Sequence, residues 1–253
     1  MTSIPVAVQM YTLRNESAED FAGTLEKVAK LGFDGVEFAG FGGLSAEKVR
    51  ELLDQLGLKA ASSHVPLEEL KHNLPRVIEE QKTIGSRYVV CPYITERTEE
   101  DYKALVQDLE NIGEECRKEG ITLCYHNHDF ELERLADGRT ALETLLEDTS
   151  SENVHAEFDV YWLQKAGQDP LSWLKRYQER TPLVHLKDMT KDEEQFFAEL
   201  GTGGVDVNQI LNHGDTSNID WWIVEQDESR ISPLESLEIS MNYLKVKLPH
   251  LQK

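Results

Sequence analysis

The chain has 253 residues and a formal charge of -21, with 26 Lys and Arg against 47 Asp and Glu. That length fits one α/β barrel or two smaller domains and can bury a sizeable core. The acidic balance excludes the basic footprint that nucleic acid requires, and three cysteines without CxxC spacing (Cys91, Cys116, Cys124) exclude a disulfide framework.

Reduced thiols point to the cytoplasm. The opening residues "MTSIPVAVQMYTLR" lack a basic stretch, and their apolar run is broken by Pro5, so neither a signal peptide nor a membrane partner is expected. "IPVAVQM" reads as a strand. Residues 17–31 form a helical pattern with Phe21, Leu25, Val28 and Ala29 on one face, stopped by Gly32. "FDGVEF" is the second strand. Ser45 caps a helix with Val49, Leu52, Leu53 and Leu56 on one side, and Gly57 ends it. "LKAASSH" is the third strand, followed by a helix over residues 67–84 and Gly85. "RYVVCPY" is the fourth, followed by a long charged helix over 98–119 and Gly120.

"ITLCYH" is the fifth strand, and residues 140–147 a short helix. "VHAEFD" is the sixth, with a helix over 170–178. "PLVHLKD" is the seventh. Two helix-like pieces, 193–200 and 205–212, flank "GTGG", a flexible loop without phosphate-binding context. "WWIVEQD" is the eighth strand, and residues 232–247 the last helix, with Pro233 in its first turn. Eight strands alternating with helices predict a closed (β/α)8 TIM barrel, one domain over residues 1–253. A doubly wound open sheet is the alternative, weakened because no Gly-rich dinucleotide fingerprint follows the first strand.

In such a barrel, catalytic groups belong at the C-terminal strand ends. There stand Glu37, His64, the run from His126 to Glu131, Asp159, His185 with Lys187, and Glu225. The strand starts (Ile4, Phe33, Leu58, Ile121, Val154, Leu183) carry nothing comparable. Glu131, Asp159, His185 and Glu225, from four successive ends, would make a mostly oxygen site for one divalent ion. Mn²⁺ or Mg²⁺ suits it best, and Co²⁺ or Zn²⁺ also fits. Taken singly, Asp159 reads equally as a turn cap, His185 as a core histidine and Glu225 as an ion-pair partner.

"VQMYTLR", "GFDGVEF", "YHNHDFEL", "FDVYW", "VHLKDM" and "IVEQD" resemble the sugar phosphate isomerase/epimerase family of xylose-isomerase-like barrels, across nearly the whole chain. The resemblance implies a divalent ion held by Glu, Asp, His and Glu from strands five to eight, and dimers or tetramers. Asp159, His185 and Glu225 match that pattern. Strand five departs from it: many relatives place Glu where His126 stands, two residues before His128. Glu131 from the following loop is the expected fourth ligand, with His126 as its rival.

Such a site predicts a sugar isomerase or epimerase that removes the proton next to a carbonyl and forms an enediolate. Loss of a β-substituent instead gives a lyase or dehydratase on a keto-sugar, keto-glycoside or inositol derivative. Glu225, His128 and His126 are the acid and base candidates, and Lys187 is the charge stabiliser, with a salt bridge to Asp188 as its plain alternative. Glu37 and His64 are expected to hold substrate hydroxyls, and Tyr11 and Trp162, with Tyr161, to form an apolar wall. An abasic-site endonuclease would need a basic groove. A silent sugar-binding protein is disfavoured by the near-complete ligand set.

Overall fold

The computed structural model describes residues 3–214 and 216–252. The barrel strands are β1 (Val6–Gln9), β2 (Gly35–Phe38), β3 (Lys59–His64), β4 (Tyr88–Cys91), β5 (Thr122–His126), β6 (Val154–Asp159) and β7 (Leu183–Leu186). A short antiparallel pair follows, β8 (Asp188–Met189) with β9 (Phe197–Ala198), and then β10 (Trp221–Val224) closes the barrel. Around the barrel the order is β1-β10-β7-β6-β5-β4-β3-β2, all parallel. Because β1 pairs with both β2 and β10, the open sheet is ruled out.

The helices are α1 (Arg14–Glu19), α2 (Phe21–Leu31), α3 (Ala46–Leu56), α4 (Leu67–His72), α5 (Leu74–Ile84), α6 (Glu99–Lys118), α7 (Ala141–Glu147), α8 (Val160–Lys165), α9 (Pro170–Arg176), α10 (Val207–Gly214) and α11 (Pro233–Lys247). Their starts are set by side-chain caps: Ser45 on α3, and reciprocal Thr98–Asp101 and Thr140–Glu143 boxes on α6 and α7. Gly57 and Gly85 end α3 and α5 in the left-handed conformation that a side chain would resist.

Two apolar cores lie back to back. The larger fills the space between strands and helices. The smaller lies inside the barrel and includes Ala7, Ala61, Tyr88, Val90, Cys124, Leu183, Trp221 and Ile223. It plugs the lower barrel, as inward side chains do in this fold. Gly35 makes room for it: a Cβ there would approach the Trp221 ring to 2.9 Å. The polar groups of the upper strand ends therefore sit on a dry floor. The three cysteines are free and buried. Among the described residues no helix is long and apolar enough to cross a membrane.

The sequence reading assigned no helix to α8, Val160–Lys165, and three of its segments differ from the structure. Residues 67–84 are two helices, not one, because Pro75 cannot donate an interior helix hydrogen bond and instead occupies the first turn of a new helix. Residues 17–31 likewise divide at Asp20, whose carboxylate accepts from the Gly23 amide and starts α2. Residues 193–200 are not helical. Asp188 accepts the amides of Gly201, Gly203 and Val205, gathering this stretch into a tight excursion pinned by the β8–β9 pair.

Candidate active site at the barrel mouth

Alternation along each strand sends every second side chain into the barrel. The lower polar tier contains Glu37 from β2, Glu157 from β6, and the imidazoles of His64, His126 and His185. Glu157 Oε2 lies 2.8 Å from His64 Nε2, 3.0 Å from His126 Nδ1 and 3.2 Å from His185 Nε2. Glu37 Oε1 lies 2.6 Å from His185 Nε2 and 3.1 Å from His64 Nε2, and accepts from Gln9 Nε2 at 2.7 Å. Its other oxygen accepts from the Ser62 hydroxyl. A register shift between β2 and β3 brings Ser62 opposite Glu37.

The upper tier is built on the remaining imidazole nitrogens. His185 Nδ1 is 3.0 Å from Glu225 Oε2 and 3.9 Å from Asp159 Oδ2, and His126 Nε2 is 3.8 Å from that same Asp159 oxygen. One ligand atom from each of His126, Asp159, His185 and Glu225 lies within 4.8 Å of all the others. Asp159 divides its work: Oδ1 caps α8 by accepting from the Tyr161 and Trp162 amides, while buried Oδ2 faces the ion-pairing groups of the upper tier. The Lys187 ammonium closes the tier, 3.0 Å from Asp159 Oδ2 and 2.7 Å from both Glu225 Oε2 and Asp227 Oδ2.

Charge in this centre is unbalanced. Asp159, Glu225 and Asp227 gather around Lys187, and Glu37 and Glu157 around the His64 and His185 imidazoles, five carboxylates against one lysine and two imidazoles. Burial, which penalises charge, pushes the Asp159 carboxyl up to about 6 even beside Lys187. Burial opposes a charge on His64, but the Glu37 and Glu157 carboxylates outweigh it and raise that imidazole to about 10. His185 is likewise raised against its burial by Glu157 and Glu37. Burial and cationic neighbours hold His126 well below its usual value, and burial with Lys187 nearby lowers His128 to about 3. A cluster with more carboxylates than cationic groups, and imidazole nitrogens converging on a buried Asp159 oxygen whose partner is the Lys187 ammonium, fits a divalent cation.

Above this tier opens a cavity of about 830 Å³, with His64, His126, His128, Glu225 and Asp227 at its catalytic end. The chain matches the description "xylose isomerase-like TIM barrel" over residues 25–246. It belongs to that family. Among its relatives are two enzymes named inosose dehydratase. The one from Clostridium perfringens is 26% identical over 78% of this chain and 68% of its own length. The one from Lacticaseibacillus casei is 28% identical over 58% and 55%. A sugar phosphate isomerase/epimerase from Parabacteroides distasonis has the same fold, with a TM-score of 0.83, 23% identity and coverage of 97% and 94%.

Within this xylose isomerase-like barrel, Asp159, His185 and Glu225 meet as the sequence suggests. Glu131 does not join them. Its oxygens accept from the Tyr125 hydroxyl at 2.7 Å and the His128 amide at 2.7 Å, so it braces the strand-five turn, and His126 completes the group. Glu37 is fully buried in the lower tier and does not line the cavity, so it orients imidazoles instead of holding hydroxyls. His64 and Tyr11 do line the cavity; Trp162 does not, and packs beside His128 with ring centroids 5.4 Å apart. Lys187 pairs with three carboxylates and not with Asp188.

Glu157 and Asp227 escaped the sequence reading. For Glu157 the signal was present: it lies two residues from Asp159, and a period of two along β6 puts both on one face, whereas Asp227 lies past the end of β10, where no such period applies.

Proposed function

We propose that this chain is a divalent-metal-dependent enzyme that removes the proton next to a carbonyl of a polyhydroxylated ketone, through an enediolate. The observation that carries this reading is the convergence of His126, Asp159, His185 and Glu225 directly beneath an open cavity. When bound there, Mn²⁺ or Mg²⁺ would polarise the carbonyl and make the neighbouring C–H acidic.

The chain's own residues supply the remainder. His128 lines the cavity, but burial and Lys187 lower its basicity, so its part is to hold a substrate hydroxyl. Asp227, which also lines the cavity and whose carboxyl is raised by burial, is the group placed to accept the proton. Glu37 and Glu157 fix which nitrogen each imidazole turns upward. Lys187 has 1% exposure and does not line the cavity. Its part is to keep Asp159, Glu225 and Asp227 ionised in a buried setting, in place of the direct contact with substrate expected of it.

Returning the proton to carbon gives isomerisation or epimerisation. A second outcome, β-elimination of a hydroxyl, is supported by His64, a cavity-lining imidazole kept protonated by two carboxylates and so able to protonate a leaving group. The dehydratase names of the two relatives agree with it. Incubating Mn²⁺-loaded protein with keto-hexoses, keto-cyclitols and keto-glycosides in D₂O tests the reading. Deuterium next to the carbonyl is expected, with an enone absorbance added if elimination follows. A full panel without exchange would sink it.

A further inference from the structure

The cavity is larger than its chemistry needs. At about 30 Å³ for each water in the liquid, 830 Å³ holds roughly 28 waters, well beyond the heavy atoms of one sugar ring. The metal-ligand candidates come from β5, β6, β7 and β10. The excess volume lies on the other side of the mouth, over the ends of β2, β3 and β4 and the inner face of α5. There the walls include Phe41, Leu44, Val65 and Val77.

Two polar atoms interrupt this apolar annex. Ser63 Oγ and Gln81 Oε1 both belong to residues lining the cavity, both are buried, and neither has a hydrogen-bond partner. Ser63 and Gln81 are 3% and 1% exposed. Buried polar atoms are ordinarily paired, so these two, set apart from the unpaired His128 Nδ1 at the catalytic end of the same cavity, mark where a ligand's polar group belongs. The annex offers nothing to an anion. Arg76 is the lining residue with a permanent positive charge, and it is tied to Glu69 and Glu80 at 2.6 and 2.5 Å.

We propose that the annex seats an apolar, hydroxyl-bearing ring attached to the reacting sugar. The substrate is then an uncharged keto-glycoside with a phenol-like substituent, not a free monosaccharide or a sugar phosphate. The sugar lies over the His126–Asp159–His185–Glu225 group. The ring lies between Phe41 and Val77, with its hydroxyl against Gln81 and Ser63. This rests on the proton-abstraction reading for the sugar end, but the annex can be tested by binding alone.

Ligand-observed NMR titrations of the Mg²⁺-loaded protein would compare methyl, phenyl and 4-hydroxyphenyl β-D-glucopyranosides, none of which can react. Burying the phenyl ring is expected to tighten binding about tenfold or more over methyl. The added hydroxyl is expected to contribute roughly three- to tenfold more. Gln81→Leu should erase the hydroxyl increment and keep the phenyl increment; Leu44→Arg should erase both. Circular dichroism checks that each variant is folded, and the wild-type series decides the matter if either is not. Equal affinity for all three glycosides overturns the annex and leaves the catalytic reading standing. Aryl-dependent binding, with no deuterium exchange when the 3-keto form of the tightest-bound glycoside is incubated with Mn²⁺-loaded protein in D₂O, overturns the catalytic reading and leaves the annex standing.

Discussion

His126 Nδ1 lies 3.0 Å from Glu157 Oε2, which leaves its Nε2 turned toward Asp159 Oδ2 at 3.8 Å. The same carboxylate oxygen lies 3.2 Å from His185 Nε2, whose Nδ1 faces the same upper group. One buried carboxylate thus orients two imidazoles. Outer carboxylates of this kind raise ligand basicity, and their loss costs about 10–100-fold in metal affinity. Glu157→Gln is expected to weaken Mn²⁺ binding by that order in a chelator competition while leaving the fold intact. His126→Ala, which removes a proposed ligand, should weaken it further. Unchanged affinity in both variants would show that the ion does not use this group.

Glu131 separates a structural carboxylate from a ligand by its stability profile. Burial raises its carboxyl to about 7 against hydrogen bonds from Tyr125 and His128 that favour its charge. The folded state therefore binds more protons than the unfolded chain between about pH 4.5 and 7, and stability falls as pH rises through that window. The accumulated penalty above pH 7 is on the order of 3 kcal/mol. Glu131→Gln keeps an acceptor and a donor for the two partners. It is expected to melt higher than wild type at pH 8, to converge with it near pH 4.5, and to retain full metal content. A loss of bound metal in Glu131→Gln would restore Glu131 as a ligand.

Metal loading should release protons. The Glu157 and Glu37 carboxylates outweigh burial and keep His185 protonated well above its ordinary range in the metal-free protein. A protonated imidazole cannot ligate, so binding at pH 7 must displace at least one proton, and affinity must fall as pH falls. Calorimetry in two buffers of different ionisation enthalpy measures this directly. A binding heat independent of the buffer would contradict it.

The strand-helix alternation was legible because barrel strands carry short apolar runs bounded by helix caps and glycine stops, as at Ser45 and Gly57. The residues at the strand ends were legible by type. What sequence could not give was which atom of each residue faces which neighbour. Glu131 follows a metal-capable run, and only the turn through residues 130–132 shows its oxygens bound to Tyr125 and His128. Glu157 was passed over because a lone carboxylate in mid-strand reads as an exposed position, although the strand period places it on the same face as Asp159. The annex was invisible for another reason. Phe41, Ser63 and Gln81 lie on a loop, a strand and a helix, with no local pattern joining them.

Lys187 provides the sharpest test of the charge imbalance. Its ammonium is almost fully buried among Asp159, Glu225 and Asp227. Lys187→Met keeps much of the side chain's volume and leaves three carboxylates facing one another. Removing one partner of a buried ion pair costs about 3–5 kcal/mol. For a chain of this size that lowers the melting temperature by roughly 10 °C. Saturating Mn²⁺ should recover most of the loss, because a divalent ion supplies the missing charge to Asp159 and Glu225. Acid should also recover part of it, since Asp159 is already raised to about 6 and its protonation relieves the repulsion as pH falls through that value. Melting curves of both proteins, with and without Mn²⁺ at pH 5.5 and 8, give all four comparisons. A variant whose deficit is the same under every condition would mean that Lys187 matters only for packing and that no cation is drawn to these carboxylates.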